Sequence, residues 1–274
     1  VSRAKELVKK DLVASGKAFP FYEILNGPIR CRCGDEVTVN LLSDQWFINY
    51  GDEAWKEAVR GQLREMSILP EDLRQEFMNV VDWLKEKACA RHSGLGTPLP
   101  WDKDWIIESL SDSTIYMAYY TIAHHMKKLP AAKLTPEVFD YLLLGKGIPP
   151  TLPQDVLRPI REELLYWYPY DFRFSAKDLI SNHLTFQLFH HRAIFPPGFQ
   201  PKGMVVFGMG LLEGAKMSSS KGNVVLLVDA IREFGADTVR MFLVGAAGTW
   251  QDCDWRNELV ASTRRQIERF WNLV

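Results

Sequence analysis

Cysteine is scarce in this chain, four in 274 residues (Cys31, Cys33, Cys89 and Cys253). A polypeptide this long needs no disulfide framework to build a core, and so few scattered thiols fit a reducing, cytosolic setting. Neither sign of charge dominates, with 33 Lys+Arg against 34 Asp+Glu, which excludes a basic nucleic-acid arm or a charged disordered tail. Long apolar runs are missing as well. None approaches the ~18–20 residues of a membrane span, so no membrane is expected as a partner. The opening VSRAKELVKK has neither the apolar segment nor the cleavage site of a signal peptide. Both ends instead read as helices cut from a longer polypeptide. What remains is an ordinary globular mixture, 47% hydrophobic and 24% charged, sufficient for one large or two smaller domains.

Hydrophobic spacing divides the chain into alternating helices and short strands. Residues 1–18 read as helix, and Phe19 to Leu42 as short extended runs broken at Asn26-Gly27-Pro28 and Gly34-Asp35. Trp55 to Met66 is amphipathic. A second helix starts at Pro70, places Leu73, Phe77, Val80, Val81 and Leu84 on one face, and ends near Cys89. Arg91 to Trp101, rich in Gly and Pro, is loop. Thr114 is expected in a strand leading into a helix over Tyr116 to Lys127, followed by a helical hairpin from Pro136 to Tyr168. Ser175 is expected to cap a helical turn, Asn182 to Arg192 to be helical, and Met204 to Phe207 to form a buried strand. Val224 and Val225 begin another extended piece. A helix over Leu226 to Phe234 is stopped by Gly235, and another runs from Ala236 to Val244. This alternation predicts an α/β fold with a parallel sheet. Divisions are expected near Trp101 and Trp250, giving segments 1–100, 101–250 and 251–274.

The most informative segment is Lys216-Met217-Ser218-Ser219-Ser220-Lys221-Gly222-Asn223, which follows a strand and a glycine-rich turn (Gly208, Gly210, Gly214). Glycines there permit close backbone approach to a ligand. Compact ammonium groups can follow a polyphosphate as its charge redistributes. The glycine spacing is not that of the Gly-x4-Gly-Lys-Ser/Thr phosphate cradle, and composition by itself also fits an ordinary polar surface loop.

That segment resembles the KMSKS signature of class I aminoacyl-tRNA synthetases. Arg91 to Pro100 (RHSGLGTPLP), Leu110 to Tyr120 (LSDSTIYMAYY), Lys177 to Phe186 (KDLISNHLTF) and Gly235 to Arg240 (GADTVR) follow in that family's order. With DQWFINYGDEAW and LPWDKDW, they resemble the archaeal and eukaryotic leucyl-tRNA synthetases. The resemblance implies the second half of a Rossmann-like nucleotide-binding domain, with helical insertions near 135–170 and the start of a C-terminal helical bundle. Residues 1–100 would be a connective segment following an editing insertion, and 251–274 would open the anticodon-binding helices. The implied reaction joins leucine to tRNA(Leu) through leucyl-adenylate, using ATP and Mg²⁺. Lys216, Ser218 and Lys221 are the implied catalytic residues, and Lys216, Met217, Ser218, Ser219 and Ser220 the ATP-binding ones. Leu110, Tyr116 and His183 fall where the leucine pocket is built. The usual second lysine of the signature is Ser219 here, and Lys221 could supply the missing charge.

Other features read less specifically. His183 and His190 are seven residues apart, two turns and ~10 Å of helix rise, too far to share one ion. The pairs His124-His125 and His190-His191 are expected to point to different faces, with no chelating pattern. Cys31-Arg32-Cys33-Gly34 invites a zinc reading but lacks a second cysteine pair, so ordinary thiols are expected and no metal site. Arg264, Arg265 and Arg269 could contact an RNA backbone or simply solvate a helix face. The HIGH signature and the editing domain are not seen, so this chain is expected to supply part of a site, with the remainder in cis or on a second chain. A non-catalytic synthetase-like module, or a sister enzyme for isoleucine, valine or methionine, are the alternatives.

Overall fold

The computed structural model describes every residue except 1, 26, 32, 33, 40, 42 and 249, and omits the side chains of 2, 3 and 220. The backbone forms two compact units, 1–45 and 46–274. The first holds helix α1 (Ser2–Ala14) and an isolated antiparallel bridge between Arg30 and Glu36, across which the Arg30 guanidinium donates to the Gly34 carbonyl (2.8 Å).

The second unit begins with β1 (Phe47–Asn49), α2 (Glu53–Glu65), β2 (Ser67–Leu69), α3 (Leu73–Trp83), β3 (Glu86–Ala88), β4 (Ala90–Arg91) and β5 (Ile106–Ile107). Short helical turns follow: α4 (Ser109–Asp112), α5 (Tyr116–Tyr119), α6 (Ala123–Met126) and α7 (Pro136–Phe139). Next come α8 (Gln154–Trp167), β6 (Arg173–Ala176), α9 (Thr185–Ile194), β7 (Gly203–Phe207), β8 (Gly210–Leu212) and β9 (Ala215–Lys216). The chain closes with α10 (Leu227–Phe234), α11 (Ala236–Gly245), β10 (Cys253–Trp255) and α12 (Asn257–Trp271).

Local sequence explains these elements. Asp52 caps α2 by accepting from the Trp55 amide (2.8 Å), and Glu53 sits where the helix dipole favours an acid. Val59 and Leu63, four apart, are fully buried. Phe77 and Val81 do the same for α3. That helix ends at Trp83, short of the expected Cys89, because residues 86–88 pair with β1 instead. β7 is the apolar run Met204-Val205-Val206, buried on both faces as the centre of a parallel sheet requires. Its neighbours are β2 and β6, both parallel, with Met204 opposite Ile68 and Arg173. A second sheet sets β8 between β10, parallel, and β9, antiparallel.

Three of these elements differ from the sequence reading. Ser175 does not cap a helix; it is a buried residue of β6, since a lone hydroxyl cannot outweigh ladder bonds to β7. Thr114 lies in a 3₁₀ turn (Ser113–Ile115), not a strand, and is fully buried with its hydroxyl bonded to a histidine. The stretch starting at Asn182 does not begin as regular α-helix: Ile180–Leu184 form a π turn leading into α9. Within the second unit, packing runs across the positions near Trp101 and Trp250. β2 belongs to the sheet of β6 and β7, and Val260 of α12 shares a core with Phe234, Val239, Phe242 and Trp255.

Two further large cores lie in the unit, beside a small cluster of Ala90, Leu99 and Trp105. One gathers Tyr50, Val59, Leu63, Phe77, Phe189 and Met204 around α9. The other joins Ile122, Leu142, Leu157, Leu164 and Tyr168 in the helical insertion. Among the described residues, no helix is long and apolar enough to cross a membrane.

Candidate active site

β6 ends at Ala176 and β7 at Phe207, and in open α/β sheets ligands bind beyond the carboxyl ends of the strands. Gly208 follows β7 at a point where no side chain fits. A Cβ there would lie 2.2 Å from the Gln251 carbonyl oxygen and 2.5 Å from the Asp252 amide nitrogen. This close approach brings Asp252 to the sheet edge, where its carboxylate accepts from the Met209 amide (2.7 Å) and pairs with Lys177 (2.7 Å). Both contacts hold the Asp252 carboxyl below the usual range, the Lys177 bond most strongly.

The loop beyond is built from β8 and β9. The Gly214 amide donates to Asp254 (2.8 Å) in the turn between them. Lys216 ends β9, and its Nζ lies 2.8 Å from Asp178 Oδ2. The adjacent residues Lys177 and Asp178 therefore tie β6 to the loop region by two ion pairs of opposite polarity. Met217 packs against the core of α10 to α12. Asn223 staples the loop: its Oδ1 accepts from the Ser218 amide and its Nδ2 donates to the Lys216 carbonyl, both at 3.0 Å. Ser219–Lys221 form a 3₁₀ turn ended by Gly222 at φ 71°. Ser219 is exposed, and so is Lys221, which makes no ion pair among the described residues. The Ser220 side chain lies outside the described ones.

Two of the three residues read as a leucine pocket, Tyr116 and His183, meet Arg173 of β6. Tyr116 stacks on Tyr120 (centroids 4.8 Å) and tilts against His183 (5.6 Å). Leu110 packs against the core that contains Ile180 and Leu184. His183 is buried and lies in the π turn. Its Nε2 meets the Ser113 hydroxyl (3.0 Å) and its Nδ1 meets an Arg173 Nη2 (3.1 Å). Burial, then the guanidinium charge, push the His183 pKa down to about 4. Sequence reasoning missed Asp178, Asp252, Asn223 and Arg173. Only the Lys177-Asp178 pair directly after a strand carried a local signal.

The other histidines have structural partners. The His191 Nε2–H donates to the Thr114 carbonyl (2.8 Å), which leaves Nδ1 to accept from the Tyr168 hydroxyl (2.6 Å). His190 bridges the Tyr50 hydroxyl (2.8 Å) and the Thr114 hydroxyl (2.5 Å). His124 and His125, expected on different faces, instead lie with ring centroids 4.0 Å apart, tilted at 39°, and direct both Nε2 atoms to Glu163, at 3.4 and 2.5 Å. The short turn α6 is too irregular to separate adjacent side chains. Their three donor atoms lie within 4.8 Å of one another, but the carboxylate is already taken up by the imidazoles. Cys31 is disulfide-bonded rather than a free thiol, and Cys33 lies outside the described residues. Arg264, Arg265 and Arg269 are exposed on α12, with Arg264 bound to Glu268 (3.0 Å).

Comparison with known proteins places this arrangement. The family described as tRNA synthetases class I (M) matches residues 166–270, which include β6, α9, the sheet edge and the whole 208–223 loop. Over 280 residues the chain is 54% identical to the leucine–tRNA ligase of Methanopyrus kandleri, covering all of this chain and 30% of that protein. The leucine–tRNA ligase of Pyrococcus furiosus is 49% identical over 293 residues, again covering all of the chain and 30% of the relative. The chain belongs to the class I aminoacyl-tRNA synthetase family. It spans about 30% of the length of these curated relatives. Among solved structures, Mycobacterium tuberculosis methionyl-tRNA synthetase in complex with methionyl-adenylate aligns at a TM-score of 0.55. That match has 21% identity and covers 87% of this chain and 40% of the other. At that identity the likeness is one of fold, an α/β synthetase fold. Lys216 and the Lys177-Asp178 corner that faces it from β6 both fall within the family match.

Proposed function

We propose that this chain carries the second half of a leucine-activating site, part of an enzyme that joins leucine to tRNA(Leu). Segment 101–250 then supplies the second half of the nucleotide-binding fold, 1–100 connects it to an editing insertion, and 251–274 opens the anticodon-binding helices. The observation that carries this reading is Lys216 paired to Asp178 at 2.8 Å, at the carboxyl end of β6, with both side chains roughly half exposed. An ammonium held in this way can exchange one anion for another.

In the proposed reaction a leucine carboxylate oxygen attacks the α-phosphorus of ATP. The bond from that phosphorus to the bridging oxygen breaks, and pyrophosphate leaves. Lys216 moves from Asp178 to the departing oxygens, where charge develops, which is electrostatic stabilisation without a protein nucleophile. Met217 and Ser218 shape the loop beside the nucleotide, Ser219 and Ser220 continue it, and Lys221 supplies the second cation that Ser219 does not. A ribose hydroxyl of the tRNA end then attacks the leucyl carbonyl and AMP leaves. Mg²⁺ would neutralise polyphosphate charge when bound. In this structure the Asp178 carboxylate is paired with Lys216, and no residue of this chain is assigned to hold the ion. Leu110, Tyr116 and His183 form the wall of the leucine side-chain pocket.

The test is Lys216→Ala in the full-length enzyme, read by leucine-dependent ATP–pyrophosphate exchange. The expected loss is about a hundredfold or more in rate, with leucine KM little changed. Unchanged exchange removes the assignment, and exchange supported by isoleucine, valine or methionine in preference to leucine replaces the substrate.

A further inference from the structure

We propose that Arg173 is a positioning residue for the amino-acid pocket: it locks His183 as the neutral Nε2–H tautomer, so that the pocket wall carries no charge. This inference rests on the reading of His183 as part of that wall.

Arginine has five N–H donors and no acceptor. With Nη2 3.1 Å from His183 Nδ1, Nδ1 must offer its lone pair, so the ring proton sits on Nε2 and points to Ser113 (3.0 Å). The opposite tautomer would set N–H against N–H. A doubly protonated ring would set two cations in contact inside the protein.

Arg173 is itself held so that it cannot turn away. Its Nη1 donates to Gln187 Oε1, and the Gln187 amide nitrogen donates to the Tyr170 hydroxyl. Gln187 is fully buried, and the donor-only guanidinium dictates which way its amide faces. On the sheet, Arg173 is fixed opposite Met204 of β7. Among the described residues no carboxylate forms an ion pair with it, so its charge is not cancelled before it reaches the imidazole. The titratable groups facing His183 are Arg173 from β6, Tyr116 from α5 and His190 from α9. Of these only Arg173 is charged at neutral pH, and it disfavours protonation. Burial and this neighbour hold the His183 pKa near 4. Without the guanidinium, the ring could take either tautomer and would protonate more readily, although burial, the larger cause, still disfavours the charged form.

A charged imidazole would oppose entry of an aliphatic side chain. The experiment is the pH dependence of leucine KM in ATP–pyrophosphate exchange, from pH 5.5 to 8.5, with the full-length enzyme. The wild type is expected to show a flat KM. Arg173→Gln is expected to raise KM as pH falls from 7.5 to 5.5, by less than about tenfold because burial still disfavours the charged ring, with the effect on KM rather than kcat, and Arg173→Lys to restore most of the flatness. His183→Gln is the control for the underlying reading: it raises leucine KM at every pH, and combined with Arg173→Gln it abolishes the pH dependence. A flat profile in Arg173→Gln overturns the proposal while leaving the pocket reading intact. A normal KM in His183→Gln overturns the pocket reading instead. A break near pH 6.5 in the wild-type profile overturns the proposal even if Arg173→Gln does not fold.

Discussion

The 208–223 loop meets Asp178 just beyond the carboxyl end of β6, Tyr116 and His183 of the proposed wall meet Arg173 at its start, and the two regions are held by different kinds of interaction. Loop residues are joined to the sheet edge by ion pairs with substantial exposure, 58% and 42% for Lys216 and Asp178. Such pairs contribute ~0–1 kcal/mol, so the lysine can leave at little cost. The wall and the histidines beside it are bound through part-buried and buried hydrogen bonds, in which a lost partner leaves a group with nothing to satisfy it. One region is arranged to change partners; the other keeps a single geometry.

The root of the loop should be the hardest point to alter. Gly208→Val would drive a Cβ to within 2.2 Å of backbone at Gln251, and backbone cannot swing aside as a side chain can. Overpacking of this kind costs ~1–3 kcal/mol or more. Thermal unfolding should show a larger drop than any substitution in the wall or at the loop tip, together with release of the Asp252 contacts. A loss below about 0.5 kcal/mol would mean that the loop root is as yielding as its tip.

Next in size is Tyr168→Phe. It removes the hydroxyl that donates to His191 Nδ1 (2.6 Å) and strands a buried acceptor, at a cost of ~1–3 kcal/mol in chemical denaturation. The ring itself remains to pack against Phe195 (4.6 Å).

Protons provide a graded version of the same test. His183, His190 and His191 are each pushed down to about 4, in every case chiefly by burial. Folded values below the ordinary 6.5 mean that the folded chain binds fewer protons than the unfolded one between those limits. Stability is therefore full above about pH 6.5 and falls as pH drops toward 4, by at most ~1.4 kcal/mol per pH unit for each histidine. Denaturation midpoints at pH 7.5 and 5.5 measure the slope. Equal midpoints would show that these rings are hydrated.

The contrast between the regions also separates what could be read in the sequence from what could not. β7 and the α10–Gly235–α11 junction were legible because a buried apolar run and a glycine at φ 87° act locally. The Lys216 loop was recognisable from its residue types and their order. Its partners were not, since Asp178 and Asp252 are brought to it by strand order rather than by spacing along the chain. Arg173 offered no signal at all, because a cation in a short strand is ordinarily a solvated edge residue. The π turn at Ile180–Leu184, which contains His183, was hidden as well: apolar periodicity does not distinguish it from the first turn of α9. His124 and His125 were misread for a related reason, as the rule about opposite faces holds for regular helix and α6 is a single turn.

The smallest effect is expected where the loop meets the sheet. Lys177→Met removes the pair with Asp252, whose side chains are 48% and 31% exposed, and Asp178→Asn removes the pair with Lys216. Each change should cost less than ~1 kcal/mol, and 0.5 M salt should remove most of the difference from wild type, because exposed pairs are screened over a few ångströms at that ionic strength. Asp252 keeps its bond from the Met209 amide (2.7 Å) after Lys177 is lost, so that substitution should be the milder of the two. A loss of ~3 kcal/mol that persists in salt would make these pairs structural. Lys216 would then be fixed to the sheet edge, and it could not cross to a leaving pyrophosphate without partly unfolding its own loop.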